Sequence, residues 1–468
     1  MRIVWISLFA VVVLGLALGP AVFSKQKPAD EELVIISPHW DGIRQEFGRA
    51  FSESYQKKTG KTIRVVWLDI GSTSEVRKYI EERFKQAEKI GPKEGMGADI
   101  IFGGGMEIMP KMAKSNFFET YPLSEEQKKA IPATASDQPL RDPENRFFAA
   151  CLSSFGFVYN KKVVEYAKLK VPQQWSDLGE PSYQGWVSCG NPTQSGSLHM
   201  AFEIVLQGEG WESGYRTVAH LMSNVRAFNE GGTSVPRDVS LGQAAAGPCI
   251  DFYASAPIRR QGATHLQLVV PPGQAIATPD PIAILRNPPN KRAAFDFLTF
   301  VLSEEGQKLW YIARGEPGGP KEYDLERLPV MPSLYEQNLK TNTVMNPFKG
   351  TAAFKYNAKK GSERWTSLND LWRATVIDLH DELWEARDAA VKAGRDADLG
   401  AALCRAPLSE EALLAIDNPP KGTPPLSPDK RNALRNKWTA WAREWYSEIA
   451  RAAKENGAVP EFKPAPVE

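Results

Sequence analysis

The chain has 468 residues, of which 42% are hydrophobic and 24% charged. That is the composition of an ordinary globular protein of two or three domains, and it excludes wholesale disorder, collagen and a multi-span membrane protein. Fifty-seven Lys and Arg against 56 Asp and Glu leave a net charge of +1, so there is no basic excess to argue for nucleic acid.

At the N-terminus Arg2 precedes an uncharged apolar run, Ile3 to Phe23, closed by Lys25. About 20 apolar residues are enough to span a bilayer as a helix, and a short basic segment before an apolar core is also a secretory signal. Residues 1–24 therefore read as a signal anchor or a signal peptide. The length favours the anchor, and Gly19-Pro20-Ala21 leaves cleavage open. The four cysteines include no Cys-x-x-Cys, so a zinc ribbon or thioredoxin-like site is unsupported. Cys189 and Cys249 lie in strand-like runs that an export compartment could bridge, with unpaired buried thiols as the plainer reading.

From Leu33 the pattern alternates strand and helix. Leu33–Ile36, Thr62–Ile70 and Ala98–Phe102 read as strands, and Asp41–Lys58, Ser74–Ile90 and Met106–Ser115 as helices, with Ser74 a candidate cap. Such alternation implies a mostly parallel α/β sheet. Phe147–Tyr159 is too long a run for one strand of that sheet. A second set follows, with strands at Trp186–Cys189, Val225–Phe228 and Cys249–Phe252 and helices at Gly196–Gln207 and near Val239–Ala246. Leu266–Val270 and Ile282–Leu285 return toward the first set, and Asn290–Leu309 reads as one amphipathic helix. The expected domains are a lobe of residues 33–155 and 272–350, a lobe of residues 156–271, and a helical extension over residues 360–456. In the extension, Leu368, Leu371, Trp372, Leu379 and Leu383, and then Leu434, Trp438, Trp441, Trp445 and Ile449, form apolar stripes at helical spacing. The Pro-rich stretch Asp417–Asp429 separates them, and the tail from Val459 reads as loose.

Five segments, in this order, resemble the extracellular solute-binding proteins of bacterial ABC importers. They are Ala98-Asp-Ile-Ile-Phe-Gly-Gly-Gly105, Leu152-Ser-Ser-Phe-Gly-Phe-Val-Tyr-Asn160, Asn191-Pro-Thr-Gln-Ser-Gly-Ser197, Thr278-Pro-Asp-Pro-Ile-Ala283 and Leu302-Ser-Glu-Glu-Gly-Gln-Lys-Leu-Trp310. Gly315-Glu-Pro-Gly-Gly-Pro320 and Arg327-Leu-Pro-Val330 extend the match. The resemblance implies the two-lobed type II periplasmic-binding-protein fold, in the branch that binds ferric ion, phosphonates or sugar phosphates. It implies ABC permease and ATPase subunits as partners and a place on the outer face of the inner membrane, anchored, or in the periplasm if residues 1–24 are cleaved. The Trp-rich helical tail is not part of the usual pattern. A membrane-anchored sensor not coupled to transport is the alternative.

Ligands of open α/β sheets sit beyond the carboxyl ends of strands. That nominates Ser37, His39 and Trp40 after the first strand, Gly104 within Gly103–Gly105, and Ser153 beside Ser154 in the crossing between lobes. Thr193, Ser195, Gly196 and Ser197 follow a strand and open a helix, whose free N–H groups and partial positive charge suit an anion. Capping alone needs one hydroxyl, and here three cluster with a glycine. Thr233, in Gly231-Gly-Thr-Ser234, repeats the pattern, while Arg237 has Asp238 beside it as an ion-pair partner. Asp251 and Tyr253 read as the end of a strand, and Asp280 as a hinge hydrogen-bonding residue. Ferric binders of the family present adjacent tyrosines where this chain has Asp251-Phe252-Tyr253, so His39, Asp251 and Tyr253 are a metal set only if the ligand is ferric, the ion then being cargo and not a cofactor. No Gly-x-Ser-x-Gly elbow, Walker A loop or His-Glu-x-x-His occurs, and no enzyme is expected.

Overall fold

The computed structural model describes residues 29–468 apart from 72, 92, 136–137, 263, 272–275, 342–345, 350–354, 421 and 468, and apart from the side chains at 74 and 107. The expected anchor at residues 1–24, the Ser74 cap and the second lobe boundary near 272 lie outside the described residues. Among the described residues no helix is long and apolar enough to cross a membrane.

The first sheet is built from β1 (Glu31–Ile36), β2 (Ile63–Leu68) and β3 (Ile100–Phe102). β1 lies between the other two and is parallel to both. Two helices connect them, α1 (Asp41–Thr59) and α2 (Thr73–Ile90). Gly60, at φ 74°, ends α1 in the left-handed conformation that glycine adopts without penalty. After a short ribbon of β4 (Thr134–Ala135) and β5 (Gln138–Pro139) comes β6 (Phe148–Asn160), 13 residues that are all buried.

The run expected to be too long for one strand of the first sheet is a single strand, β6, that continues past that sheet. It is one strand because it serves two sets of partners. Up to Ser154 it pairs antiparallel with β11 (Ala277–Ile284), which also pairs with β3. From Phe155 onward it pairs with β9 (Ala246–Ile250), and from Phe157 also with β10 (Leu266–Val269). Beyond β9 lie β7 (Val187–Gly190) and β8 (Val225–Asn229), giving the order β2-β1-β3-β11-β6-β9-β7-β8 with β10 off this path. A strand buried on both faces throughout shows no alternation of apolar and polar residues, so its pattern does not mark where it changes partners.

The helices of the second sheet are α3 (Gly196–Gly208), α4 (Trp211–Ser223), α5 (Ser234–Ser240) and α6 (Asp251–Gln261). α5 starts earlier than the helix expected near Val239–Ala246 and ends at Ser240. Gly242 turns the chain at φ 74°, and Ala246 already pairs with Tyr159 of β6. The expected strand Cys249–Phe252 is likewise shifted, since β9 stops at Ile250 and Asp251 opens α6.

The single helix expected over Asn290–Leu309 is two, α7 (Lys291–Val301) and α8 (Glu304–Tyr311). Ser303 caps α8 by accepting from the Gly306 amide at 3.2 Å. The chain also passes so close at the corner that a Cβ on Gly306 would lie 2.2 Å from the Phe300 carbonyl oxygen.

The C-terminal region holds α9 (Ala358–Trp372), α10 (His380–Lys392), α11 (Glu410–Asp417) and α12 (Pro428–Lys454). A π-turn at Arg373–Ile377 separates the first two. Their apolar stripes join the core beneath α3 and α4, where Trp372 and Trp438 are fully buried. The first sheet, with α1, α2, α7 and α8, has a separate core. The tail from Val459 is docked, not loose. Phe462 meets Trp445 edge-on at 5.4 Å, and the Trp438 and Trp441 indoles donate to the carbonyls of Pro466 and Lys463. The periodicity of α12 could not show that its tryptophans each keep an N–H needing a partner, and the tail supplies two of them. All four cysteines are buried, unpaired thiols.

Candidate ligand-binding site

The hydroxyl-rich turn before α3 is held from below. Asn191 Oδ1 accepts from the Thr193 amide and hydroxyl at 2.9 and 2.8 Å, and the Ser195 amide donates to the Asn191 carbonyl. Ser195 caps α3 at the Leu198 amide, and its Oγ lies 3.1 Å from that of Ser197. The neighbouring Gly231–Gly232 loop fits against this cradle closely: a Cβ on Gly232 would stand 2.9 Å from Ser197 Oγ and 3.2 Å from Ser195 Oγ. Thr233, in contrast, is exposed and caps nothing, and Arg237 is exposed beside Asp238.

The opposite wall comes from the first sheet. A Cβ on Gly196 would lie 3.1 Å from Thr73 Oγ1, at the first residue of α2. One on Gly104 would lie 3.9 Å from Thr73 Cγ2 and 3.8 Å from the Pro38 ring. Gly103, Gly104 and Gly105 all have positive φ, which bends the chain after β3 in a way other residues resist. The N-termini of two helices, 18 and 13 residues long, thus approach each other across the cleft with Gly104 beside them.

A second cluster surrounds Arg327. Its Nη2 donates to Asp280 Oδ2 at 2.6 Å and its Nε to Ser153 Oγ at 3.0 Å, and its guanidinium lies 4.2 Å above the Phe252 ring. His39 Nε2 sits 2.9 Å from the same Asp280 oxygen, while the His39 amide donates to Ser37 Oγ. Asp251 Oδ2 accepts from the Ser154 amide and hydroxyl at 2.7 and 2.9 Å. Burial opposes ionisation of Asp280, but Arg327, His39 and the Gly105 amide outweigh it and hold its carboxyl far below the usual range. Burial keeps the His39 imidazole below its ordinary value, against the pull of Asp280, and pushes the Asp251 carboxyl up. Burial likewise raises the Tyr253 phenol.

The nominated residues therefore fall into groups. Thr193, Ser195, Gly196, Ser197 and Gly104 gather at the facing helix ends, and Ser37, His39, Ser153 and Asp251 gather around Arg327 and Asp280. Tyr253 neighbours Phe252 in the first turn of α6, with ring centroids 4.4 Å apart. Asp251 and Tyr253 do not end a strand as expected, because β9 stops one residue earlier. Trp40 folds back over Gly42, whose missing Cβ makes room for the indole, and meets Tyr323 edge-on at 5.5 Å.

Sequence reasoning missed Thr73 and Arg327. The signal for Arg327 was a lone cation in Leu-Pro-Val-rich sequence within a segment already noted. Thr73 carried no signal beyond opening a helix. Among the described residues no three His, Cys, Asp or Glu side chains gather as a metal site.

A family model described as bacterial extracellular solute-binding protein matches residues 97–332. The phosphoglycerate transport regulatory protein PgtC of Salmonella typhimurium is 29% identical over 265 residues, which are 54% of this chain and 64% of that protein. The chain thus spans just under two thirds of the length of that relative. Among solved structures, the periplasmic binding protein P5PA aligns with a TM-score of 0.58 at 21% identity, over 73% of this chain and 98% of that one. AfuA of Actinobacillus pleuropneumoniae, with exogenous fructose-6-phosphate bound, aligns with a TM-score of 0.58 at 18% identity, over 74% and 98%. These two likenesses show the fold, a two-lobed α/β architecture. With half of its length matched by the family model, the chain belongs to the bacterial extracellular solute-binding proteins.

Proposed function

We propose that the protein captures a small organophosphate between two lobes, residues 33–155 with 272–350 and residues 156–271, and delivers it to an ABC permease and its ATPase subunit. The observation that carries this reading is the approach of α2 and α3 at Thr73 and Gly196. Each helix N-terminus carries about half a positive charge, so two facing ends repel unless an anion lies between them. Ser195 and Ser197 add hydroxyl donors, and Gly104 and Gly196 allow the backbone to approach. Closure favoured by a ligand of this charge follows if the contacts form only when the lobes meet.

The same geometry argues against ferric cargo. His39, Asp251 and Tyr253 border the buried Arg327 guanidinium, and His39 is engaged by Asp280. A trivalent cation placed among them would meet a fixed positive charge, with the Asp280 carboxylate already engaged by Arg327 and His39 and that of Asp251 held toward neutrality by burial. PgtC is named for the regulation of phosphoglycerate transport and AfuA holds fructose-6-phosphate, and both compounds carry a phosphate, in agreement with an organophosphate here. Residues 1–24 would hold the protein at the outer face of the membrane, or direct its export if cleaved.

Mass spectrometry of the native protein with phosphorus and metal analysis tests the ligand class. A metal-free protein carrying a small phosphorus-containing mass supports the reading, and stoichiometric iron lost on Tyr253→Phe would overturn it.

A second reading, a ligand sensor not coupled to transport, is favoured by one observation. The C-terminal helices share the core of the second lobe, forming a large added body beyond the matched residues. Ligand-dependent stimulation of a reconstituted permease and ATPase would separate delivery from sensing.

A further inference from the structure

α9 lies along α3, the helix whose N-terminus forms the cradle, and runs in the opposite direction. At its root the Asn357 amide donates to Gln207 Oε1 at 2.7 Å, and Gln207 Nε2 donates back to the Asn357 carbonyl at 3.1 Å. Midway, Arg364 makes a two-pronged bond to Glu203 at 2.8 and 3.0 Å, with both side chains fully buried. Farther along, the Trp365 indole stacks on the His199 imidazole with centroids 3.5 Å apart. His199 Nδ1 lies 2.7 Å from Asn369 Oδ1, one helical turn from the Ser195 cap.

The helix also touches the other lobe. α9 packs against the turn Met106–Ile108, which follows Gly103–Gly105 directly and whose Met106 and Ile108 are buried. At its root, Gln138 of β5 donates to the Tyr356 carbonyl at 3.4 Å, while the Tyr356 hydroxyl donates to the Met200 sulfur of α3. One helix is therefore in contact with both walls of the cleft. It lies outside the residues matched by the family model.

We infer that α9 is a strap that keeps the lobes together, so that the cleft is closed at rest and opens only when α9 parts from the Met106–Ile108 turn. This rests on the two-lobed hinge reading above. The unequal strength of the two attachments decides which one yields. Separating α9 from α3 would strip a fully buried ion pair of its partner, among the costlier events in a protein interior. Among the described residues, separating α9 from the Met106–Ile108 turn breaks packing and a Gln138 bond of 3.4 Å to the Tyr356 carbonyl. α9 therefore moves with the second lobe, and its contact with the first is the latch. Other contacts that span the lobes, Thr73 with Gly196, Arg327 over Phe252 and Arg259 with Asp324, belong to the same closed arrangement. The consequence is a small ligand-driven motion and slow exchange of bound ligand, since a closed resting state taxes entry and exit alike.

The test is a pair of spin labels at Ile90→Cys and Tyr166→Cys, both 83% exposed in the native chain and one on each lobe. The native cysteines are buried, so labelling is confined to the introduced thiols. Double electron–electron resonance is read on the full chain, dialysed until phosphorus-free, with and without millimolar 3-phosphoglycerate. The expected result is one narrow distance, unchanged on addition within about 2 Å. In Met106→Ala, and in the milder Gln138→Ala that removes the bond to the Tyr356 carbonyl, the ligand-free distribution should extend to longer distances. A ligand-free wild type that is already open and shortens with 3-phosphoglycerate overturns the strap, as does a distribution unchanged in both folded variants. A protein closed in every condition that binds no phosphate ester would leave the strap standing and remove the organophosphate reading.

Discussion

Two buried arginines do different things in this molecule. Arg364 is enclosed by carboxylates, Glu203 and, at 2.5 Å, Glu410. It joins the C-terminal helices to α3 in a fixed geometry. Arg327 shares one carboxylate, Asp280, with His39, and also meets the Ser153 hydroxyl and the face of Phe252. Those partners come from β6, β11 and α6, the elements that meet where β6 changes from one set of strands to the other. A guanidinium held by two acids is a staple. One held by an acid, a hydroxyl and a ring can exchange partners when the strands beside it bend, which is what a hinge requires.

The comparison is broken most severely at Arg364. Arg364→Ala leaves Glu203 buried without its main partner and should cost about 3–5 kcal/mol in chemical denaturation. Replacing both residues, Arg364→Met with Glu203→Met, should recover most of that loss, because the penalty is for the stranded charge. If the double variant is as unstable as the single, the pair is not the staple. Arg327→Met should cost less, roughly 1–3 kcal/mol, since Asp280 keeps His39 and the Gly105 amide. Its distinguishing effect is on acid sensitivity. Asp280 has a depressed pKa in the fold, so its contribution is present above the ordinary carboxylate range and lost as pH falls toward the folded value. Without Arg327 the folded value rises toward the ordinary one, so the loss of stability that melting curves show below about pH 4 should become shallower.

Histidines sharpen the contrast further. Burial lowers His199, beside Arg364, to about 3, and His220 to about 3, with His39 and His380 also lowered. Each is neutral in the fold and gains a proton on unfolding, so the unfolded chain binds more protons below its ordinary value of 6.5. Stability should therefore fall as pH drops from 6.5 toward 3, by up to roughly 1.4 kcal/mol per pH unit for each group. His199→Gln should flatten that slope in denaturation series between pH 6.5 and 5, and an unchanged slope would show that His199 is not held neutral. The smallest effect on stability is expected at the cradle, where losing the Ser195 cap in Ser195→Ala costs about 1 kcal/mol.

Much of the first lobe was legible because β1, β2 and β3 alternate with amphipathic helices of ordinary length. The corrections cluster where tertiary pairing overrides local pattern. β6 hides two partnerships in one apolar run, and Ala244–Ala246 has helical composition but leads into β9, where Ala246 pairs with Tyr159. The cradle was legible because hydroxyls and glycine at a strand-to-helix junction have few other uses. The Arg327 cluster was not, since His39, Ser153, Asp280 and Arg327 lie far apart in the chain and meet only through β6 and β11. Nor could spacing show that α9 reaches both walls of the cleft, because helical periodicity reports one buried face and not which two bodies it meets.

The most direct measurement is isothermal titration calorimetry of the phosphorus-free full chain with 3-phosphoglycerate and fructose-6-phosphate, beside glycerate and fructose as phosphate-free controls. The wild type should bind at least one phosphate ester and neither control. Ser195→Ala/Ser197→Ala should weaken that binding roughly 10- to 100-fold, the worth of one or two hydrogen bonds to a charged group, with the fold intact. Equal affinity in the double variant, or binding of the controls as tight as that of the esters, would contradict the anion cradle.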